Sequence, residues 1–343
     1  MKKNCFLALL CLSTAAINAN ELSTDEIAFT VGLWGDQFYS DDAQIKAQRT
    51  QQTVDSMNDH DLAFTLFTGD TKNGHVPCTD KMIGENVLNV FNALHMPTLY
   101  SLGDNEWTDC HRTSNSSYDP LERLSYLRKT FFSRALSQGP EPLSLQRQAL
   151  EDGTLSENSR FVKNSVSFVA LSVPGSNNNL VATQKQCKKE SERSEEDCQD
   201  ASEEYRARNA RNIAWLNASF NEARYEHYTG LVILIQADVF FPYELSDGGF
   251  NDEFLPSLDE NNGFADFYLT LQRETQNFDG QVLLVHGDSH YFKIDKPMYD
   301  PDGRLTANFT RVQVFGEKDN SWVELHVDPS TDHVFTLTPI ILR

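Results

Sequence analysis

Six side chains of metal-ligand type follow apolar segments of this 343-residue sequence, each close to the point where a segment ends. They are Asp36, Asp70, Asp104, Gln236, Asp288 and His290. One Gly-Asp pair after an apolar segment is an ordinary turn or helix cap, but the repetition at five segment ends is hard to attribute to turns. Carboxylates brought together raise one another's pKa by repulsion unless a cation neutralises them, so the pattern predicts a divalent-metal site.

The apolar segments are predicted to be buried strands, because they are short, rich in β-branched and aromatic residues, and bounded by Gly, Asp or Asn. They cover residues 27–34, 62–68, 97–102, 165–173, 231–235 and 281–285. Helical spacing occurs at about 42–58, 80–94, 120–136, 201–226 and 263–275. This alternation predicts an α/β fold with a largely parallel sheet. Loops at the carboxyl edge of such a sheet converge over one crevice, so we expect the six side chains to share a site.

Other segments do not follow this alternation. Residues 311–314, 322–327 and 334–337 resemble antiparallel strands, so we expect a second sheet. Residues 137–158 and 177–204 are interpreted as polar insertions that shape specificity, and the charge run at 184–204 is expected to be exposed.

The first 19 residues have the three-part layout of a secretory signal peptide: two lysines, an apolar run at 6–12, and small residues up to Ala19. We therefore expect residues 20–343 to form a single domain that is periplasmic or secreted. Cys11 raises the alternative of a lipoprotein, but two leucines precede it where such signals usually have small residues. No later segment is apolar over the roughly 20 residues that span a bilayer.

The charge balance limits the expected partners. The chain has 29 Lys and Arg against 50 Asp and Glu, a formal net charge of −21. Such a charge repels nucleic acid and anionic membranes, so we expect neither as a partner. Any phosphate would have to be drawn by a metal or a local cation. The oligomeric state is not indicated by the sequence.

Four cysteines remain after the predicted leader, namely Cys78, Cys110, Cys187 and Cys198. An even count in an oxidising compartment favours disulfides, and four cysteines allow three pairings. We favour Cys187–Cys198, which closes a short polar loop, together with Cys78–Cys110, which joins the loops after the second and third predicted strands.

The order of the motifs resembles the five blocks of the calcineurin-like metallophosphoesterase superfamily over residues 27–295. The blocks are Asp36, Gly69-Asp70, Gly103-Asp104-Asn105-Glu106, the polar Gln236 after a strand, and Gly287-Asp288-Ser289-His290. The resemblance implies a two-sheet β-sandwich flanked by helices. It also implies one or two divalent metals and hydrolysis of a phosphomonoester or phosphodiester by a metal-bound water. Asp36, Asp70 and His290 match family ligands, and Asp70 matches the aspartate that bridges both metals.

Several positions depart from the histidine-rich pattern of the family. Asp104 stands where the family has an asparagine ligand, and Asn105 stands where it has the histidine at the leaving group. Phe38, Gln236 and Asp288 replace further histidines. Oxygen ligands favour manganese, magnesium or calcium over zinc or iron. Because asparagine cannot protonate a leaving group, the alternative is a catalytically degenerate protein of the same fold that binds a metal or small ligand.

Neighbouring residues are candidates for the remaining roles. Asp70 and Asn105 occupy the catalytic positions, and His111 or His75 is a candidate for the missing acid. Lys72, His75 and Arg112 are predicted to contact the substrate, a small-molecule phosphoester. An alternative for Lys72 is that its ammonium takes the charge position of a missing metal ion. His75, His111 and Arg112 are equally compatible with solvated loop positions, and Lys72 with an ordinary surface position.

Overall fold

Two mixed β-sheets packed face to face, with helices on their outer faces, form the body of the protein. The computed structural model describes residues 28–37, 39–40, 42–240, 258, 261–300 and 302–343. The predicted leader, Cys11 and Phe38 lie outside these residues. The expected two-sheet α/β sandwich flanked by helices is confirmed.

The first sheet carries three of the predicted ligand loops. Its strands are β1 (Phe29–Trp34), β2 (Phe64–Phe67), β3 (Thr98–Tyr100), β11 (Trp322–Asp328) and β12 (Val334–Ile340). Their order is β12-β11-β1-β2-β3, with β1, β2 and β3 parallel to one another and β11 and β12 antiparallel. Because the three parallel strands lie side by side, the loops that carry Asp36, Asp70 and Asp104 leave the same edge.

The second sheet has seven strands in the order β4-β5-β6-β7-β8-β10-β9. They are β4 (Gln146–Ala149), β5 (Leu155–Lys163), β6 (Val166–Ala170), β7 (Gly230–Leu234), β8 (Gln281–His286), β9 (Lys293–Asp295) and β10 (Phe309–Gln313). Strands β6, β7, β8 and β10 are parallel. Gln236 follows β7, and Asp288 and His290 follow β8, as predicted.

Strands β4 and β5 were not predicted, because residues 137–158 were interpreted as a polar insertion. The buried polar side chains of β5 have partners, whereas the side chains of β4 are exposed or half-buried. Glu157 pairs with Arg128 at 2.9 Å, and Asn158 donates a hydrogen bond to Asn212 at 2.8 Å. Polar residues satisfied in this way give no apolar alternation for a sequence pattern to detect.

The helices cover the outer faces of both sheets. They are α1 (Ala43–Asn58), α2 (Asn86–Ala93), α3 (Pro120–Phe131), α4 (Gln184–Cys187), α5 (Glu195–Tyr225) and α6 (Ala265–Gln276). A π-helical turn, Lys81–Glu85, precedes α2, and a 3₁₀ turn, Thr108–His111, follows β3. The charge run expected to be an exposed excursion contains α4 and the start of α5. Helix α5 begins at Glu195 because Ser194 and Asp197 form a capping box there.

Three apolar layers result from this arrangement. Side chains from the inner faces of both sheets, such as Val31, Phe64 and Val232, form the layer between the sheets. A second layer lies between the first sheet and helices α1 to α3. A third lies between the second sheet and helices α5 and α6, where Leu231 and Ile233 alternate with the inward-facing Val232. Because each sheet is buried on both its inner and its outer face, packing fixes the positions of the strand ends.

Both favoured disulfides are present. Cys78 pairs with Cys110, with a Cα–Cα distance of 5.8 Å, and Cys187 pairs with Cys198, at 5.6 Å. The first bond joins the loop after β2 to the 3₁₀ turn after β3. Within the described ranges, no helix is both long enough and apolar enough to cross a membrane.

Candidate metal centre

A cleft of about 750 Å³ opens at the carboxyl edge of the strands. Residues from the loops after β2, β3 and β8 line it, including Asp70, Asp104, Asn105, Asp288 and His290. Tyr39, His75, Asp109 and Arg112 lie on the same walls. The structure thus brings most of the predicted site residues to one opening.

Asp36, Asp70 and His290 form the first group of ligand-type atoms. One atom of each side chain lies within 4.8 Å of the others, with both aspartates buried and the histidine partly buried. Asp36 Oδ1 accepts a hydrogen bond from the backbone N–H of Asp288 at 2.8 Å and lies 3.6 Å from His290 Nε2. Two carboxylates and an imidazole at this separation fit one divalent cation.

The backbone is strained where these ligands stand. Asp36, Asp70, Asp288 and His290 have φ values of 50°, 59°, 78° and 61°, in the left-handed region that non-glycine residues rarely adopt. The N–H of Asp36 donates to the carbonyl of Gly69 at 2.9 Å, which helps to hold the first of them. Such strain occurs at functional sites, and in this chain it also occurs in turns away from the cleft, such as those at Asn164 and His227.

Asp104 and Asp288 form a second group beside Gly175. A Cβ atom on Gly175 would lie 2.6 Å from Asp104 Oδ2 and 2.7 Å from Asp288 Oδ1. Both carboxylates therefore face one small space, which the absence of a side chain at Gly175 keeps open. The pKa of Asp70 is raised by burial and then by the charges of Asp104 and Asp36, as expected of a carboxylate between the two groups.

Electrostatics test whether a cation fits this donor set. Burial raises the pKa of Asp36 well above its usual value, and the charges of Asp288 and Asp104 raise it further. Burial and the charge of Asp104 also raise the pKa of Asp288. Buried carboxylates that repel one another are expensive to ionise. A divalent cation removes that cost, so these residues fit a hard metal.

Gln236 stands next to this centre with its oxygen already engaged. Its Oε1 accepts a hydrogen bond from the backbone N–H of Gly175, and its Nε2 has no hydrogen-bond partner among the described residues. The amide oxygen has a second lone pair, so this hydrogen bond is compatible with the predicted ligation through oxygen. The role of Gln236 as a ligand stays a prediction.

Asn105 holds the carboxylate of Asp70 in place. Its Nδ2 donates to Asp70 Oδ2 at 2.9 Å and to Tyr39 Oη at 2.8 Å, and Tyr39 Oη donates to the same Asp70 oxygen at 2.9 Å. The amide therefore orients Asp70 and offers no titratable proton. Tyr39 was missed by the sequence reasoning, since a tyrosine three residues after Asp36 has no distinguishing pattern.

Asp109 and Ser176 were also missed as members of the site. Ser176 Oγ lies 2.8 Å from Asp104 Oδ2 and 2.7 Å from Asp109 Oδ1. A hydroxyl can donate to only one of them, so the other contact requires a protonated carboxyl that donates. Burial and the charge of Asp104 raise the pKa of Asp109 to about 7. Asp109 is therefore the carboxyl suited to hold that proton.

The remaining predicted residues occupy different surroundings. His75 and Arg112 line the cleft, and Arg112 pairs with Asp109 at 2.6 Å. His111 lines a neighbouring cavity, and its Nδ1 lies 2.6 Å from the carbonyl of Thr108. Burial lowers the pKa of His111 to about 4, helped by the charge of Arg193. The imidazole is neutral at pH 7, which gives no support to the predicted role as the acid.

Lys72 is fully buried and is not among the residues that line the cleft. Its Nζ donates to the carbonyl of Asn73 at 3.3 Å. Burial lowers its pKa, whereas the charges of Glu106 and Asp70 act in the opposite direction. Glu106 is also fully buried, and its Oε2 has no hydrogen-bond partner among the described residues. This place suits an internal counter-charge better than contact with substrate.

A double-mutant cycle tests whether Lys72 acts as a counter-charge to Glu106. Lys72→Met is expected to lower the free energy of unfolding of the metal-free protein by about 1–3 kcal/mol, because the buried carboxylates lose a nearby ammonium. Adding Glu106→Gln is expected to recover most of that loss. Denaturant titration of both single variants and the double variant measures the coupling. Strictly additive effects would contradict an interaction between the two side chains.

The raised carboxyl pKa values also predict how stability depends on pH. A group whose folded pKa is raised stabilises the fold below its unfolded pKa, and the stabilisation is lost as pH rises through the folded value. This applies to Asp36, Asp70 and Asp288, and to Asp109 with its pKa of about 7. His111 and His286, with lowered pKa values of about 4, oppose the trend only below about pH 6.5.

Between about pH 6.5 and 8.5, the melting temperature of chelator-treated protein is therefore expected to fall. Saturating manganese should flatten the slope, because the cation replaces the protons as the neutralising charge. Thermal unfolding across this range with and without metal measures both. Equal slopes in the two series would show that the carboxylates do not bind the metal.

Comparisons with known proteins give the setting for this site. No family model and no curated protein matches the chain. Solved structures do, among them a dimetal phosphatase from Danio rerio, at 11% identity over 92% of this chain and 99% of that one, with a TM-score of 0.48. The anchor protein of the inner membrane complex of Plasmodium matches at 10% identity over 92% and 89%, with a TM-score of 0.44.

A purple acid phosphatase from yellow lupin seeds matches at 11% identity, over 92% of this chain and 54% of that chain, with a TM-score of 0.45. With TM-scores below 0.5, these similarities carry no argument about chemistry, which rests on the residues of this chain. Two of these solved structures are phosphatases.

Proposed function

We propose that this protein is an exported metal-dependent phosphoesterase that hydrolyses a phosphomonoester or phosphodiester with water as the nucleophile. The observation that carries the proposal is the pairing of two ligand groups in one cleft. Asp36, Asp70 and His290 form one group, and Asp104 and Asp288 form the other. The charges of both groups act on Asp70, which suits a bridging role.

These five side chains would hold one or two divalent ions. Four carboxylates and one imidazole favour manganese, magnesium or calcium over zinc or iron. When bound, the metal would supply Lewis-acid activation of water and charge relief on the phosphoryl oxygens. The burial of Asp36 and Asp70 keeps bulk water from competing for the ligand oxygens.

Other residues on the cleft would position the substrate and move a proton. Arg112 presents a guanidinium at the cleft wall, where its planar fork matches phosphoryl oxygens. Asn105 fixes the orientation of Asp70. Asp109 lines the same wall, and with a pKa of about 7 it is partly protonated at neutral pH. A proton on Asp109 could therefore be passed to the leaving group, a step for which Asn105 is unsuited.

Export is inferred from the predicted signal peptide, and the two disulfides are compatible with an oxidising compartment. The net charge of −21 supports a small-molecule phosphoester, rather than nucleic acid, as the substrate. A periplasmic or secreted location follows from the same reasoning.

A second candidate is a protein of the same fold that binds a metal or ligand without turnover. Asn105 favours it, because both hydrogen bonds from its amide serve the protein interior. The buried Lys72 favours it as well, since an internal cation lowers the need for a second metal. The candidates differ in whether bound metal leads to hydrolysis.

The Asp70→Asn variant distinguishes the enzyme from the ligand-binding protein. Removing the bridging charge is expected to reduce hydrolysis of generic phosphomonoesters and phosphodiesters roughly a thousandfold, since metal coordination is worth several kcal/mol in the transition state. Metal content by elemental analysis should fall in the same samples. Asp61→Asn changes an exposed residue before the amino end of β2, whereas Asp70 follows the carboxyl end of that strand; it is the control and should retain metal and activity.

The outcomes discriminate between the functions. Bound metal with hydrolysis in the original protein, lost in Asp70→Asn while the melting temperature is kept, supports the enzyme. Bound metal without hydrolysis, with manganese, magnesium or calcium added, supports the ligand-binding alternative. Protein that retains no metal after reconstitution and hydrolyses nothing would contradict the enzyme and leave only the binding of a metal-free ligand.

A further inference from the structure

A second cavity, of about 180 Å³, adjoins the cleft. Arg112, Lys189 and Arg193 line it, together with the imidazole of His111. Asp109 and Arg112 line both the cavity and the cleft, so the two spaces share a wall. The cavity is several times larger than the roughly 30 Å³ that one liquid water occupies, so it has room for a small polyatomic anion.

The cations are held in place by bonds to the backbone. Arg193 Nε donates to the carbonyl of Cys187 at 3.3 Å, and Arg193 Nη2 donates to the carbonyl of Gln186 at 3.1 Å. The Cys187–Cys198 disulfide closes the loop that carries these carbonyls. Arg193 is therefore presented by a covalently constrained segment, which reduces the entropy lost when a ligand binds.

Arg112 is fixed from the other side of the cavity. Its Nη2 pairs with Asp109 Oδ2 at 2.6 Å and donates to Ser176 Oγ at 3.4 Å, while its buried Nε has no hydrogen-bond partner in the described part of the chain. A guanidinium N–H without a partner in a buried position is costly. An anion in the cavity could supply the missing acceptor.

Like charges are crowded here, in a chain whose net charge is −21. The charge of Arg112 adds to burial in lowering the pKa of Arg193, whereas Asp109 and Asp197 oppose it. The charges of Arg193, Arg112 and Lys189 all act on His111. Among the described residues, Asp109 is the one carboxylate that lines the cavity. A bound anion would relieve this repulsion.

We propose that the cavity binds a phosphate group of the substrate other than the one that is hydrolysed, so that the substrate carries two phosphate groups. This inference rests on the proposed hydrolase function. Guanidinium forks and an ammonium are the groups that bind tetrahedral phosphate oxygens in proteins. The shared wall formed by Asp109 and Arg112 lets one molecule reach from the cavity into the cleft.

Substrate preference tests the proposal. Alkanediol bisphosphates of increasing chain length are compared with the matching alkyl monophosphates, and the original protein is expected to favour a bisphosphate by roughly tenfold or more in kcat/KM. Lys189→Glu and Arg193→Gln should abolish most of that preference and leave monophosphate hydrolysis nearly unchanged. Lys185→Glu, an exposed residue of α4 that does not line the cavity, makes the same charge change and should keep the preference.

Lys189 is exposed, so its variant is expected to fold even where Arg193→Gln disturbs the loop. A preference absent from the original protein, or one that Lys189→Glu and Lys185→Glu reduce equally, would overturn the proposal.

A binding measurement separates this inference from the hydrolase function. Inorganic phosphate is titrated calorimetrically into the full chain without added metal, where the acidic cleft repels phosphate. Binding that Lys189→Glu weakens roughly tenfold, and that Lys185→Glu retains, supports an anion site even if no substrate is hydrolysed. Absence of phosphate binding to the original protein would overturn the site. Absence of hydrolysis alone would overturn only the proposed function.

Discussion

Mutual repulsion among buried carboxylates is the constraint on which the rest of the structure depends. Asp36, Asp70, Asp104 and Asp288 meet at one edge because their loops leave parallel strands of two sheets whose apolar faces fix the strand ends. The fold therefore places carboxyl groups together at a position where burial raises the pKa of Asp36 and Asp70 and favours their neutral form. Such an arrangement persists only if protons or a cation neutralise it. The left-handed backbone at three of these aspartates shows that the arrangement is imposed by the surroundings rather than favoured locally.

The surroundings of the carboxylates divide into groups that orient them and groups that carry compensating charge. Asn105, Tyr39 and Ser176 orient them by hydrogen bonds. Lys72 provides positive charge from the interior, on the side that the cleft does not reach. Compensation by one lysine leaves most of the negative charge unbalanced. The remaining deficit would favour a divalent ion at the open side.

The sequence allowed the ligand loops to be predicted but not the network that supports them. Asp36, Asp70 and Asp104 were predictable because each follows a strand with a clear apolar pattern. Strands β4 and β5 were not, since residues such as Glu157 and Asn158 are buried through specific partners that lie far away in the sequence. Ser176 and Tyr39 act through loop geometry, which has no period. Lys72 was given two possible roles, contact with substrate or the charge of a missing metal ion, and only the packing of the chain shows that it is buried.

The net charge of −21 is compatible with a phosphate ligand because electrostatic interactions in solution are short-ranged. At physiological ionic strength the Debye length is about 8 Å, so surface carboxylates farther away are largely screened. Groups within a few ångströms then decide the sign of the local potential. Arg112, Lys189 and Arg193 face one cavity with a single carboxylate on its wall, and a divalent ion would change the sign of the adjoining cleft. With a metal bound as proposed, two neighbouring positive regions on an acidic protein would select for a ligand with anionic groups at both ends, since a single phosphate would satisfy only one of them.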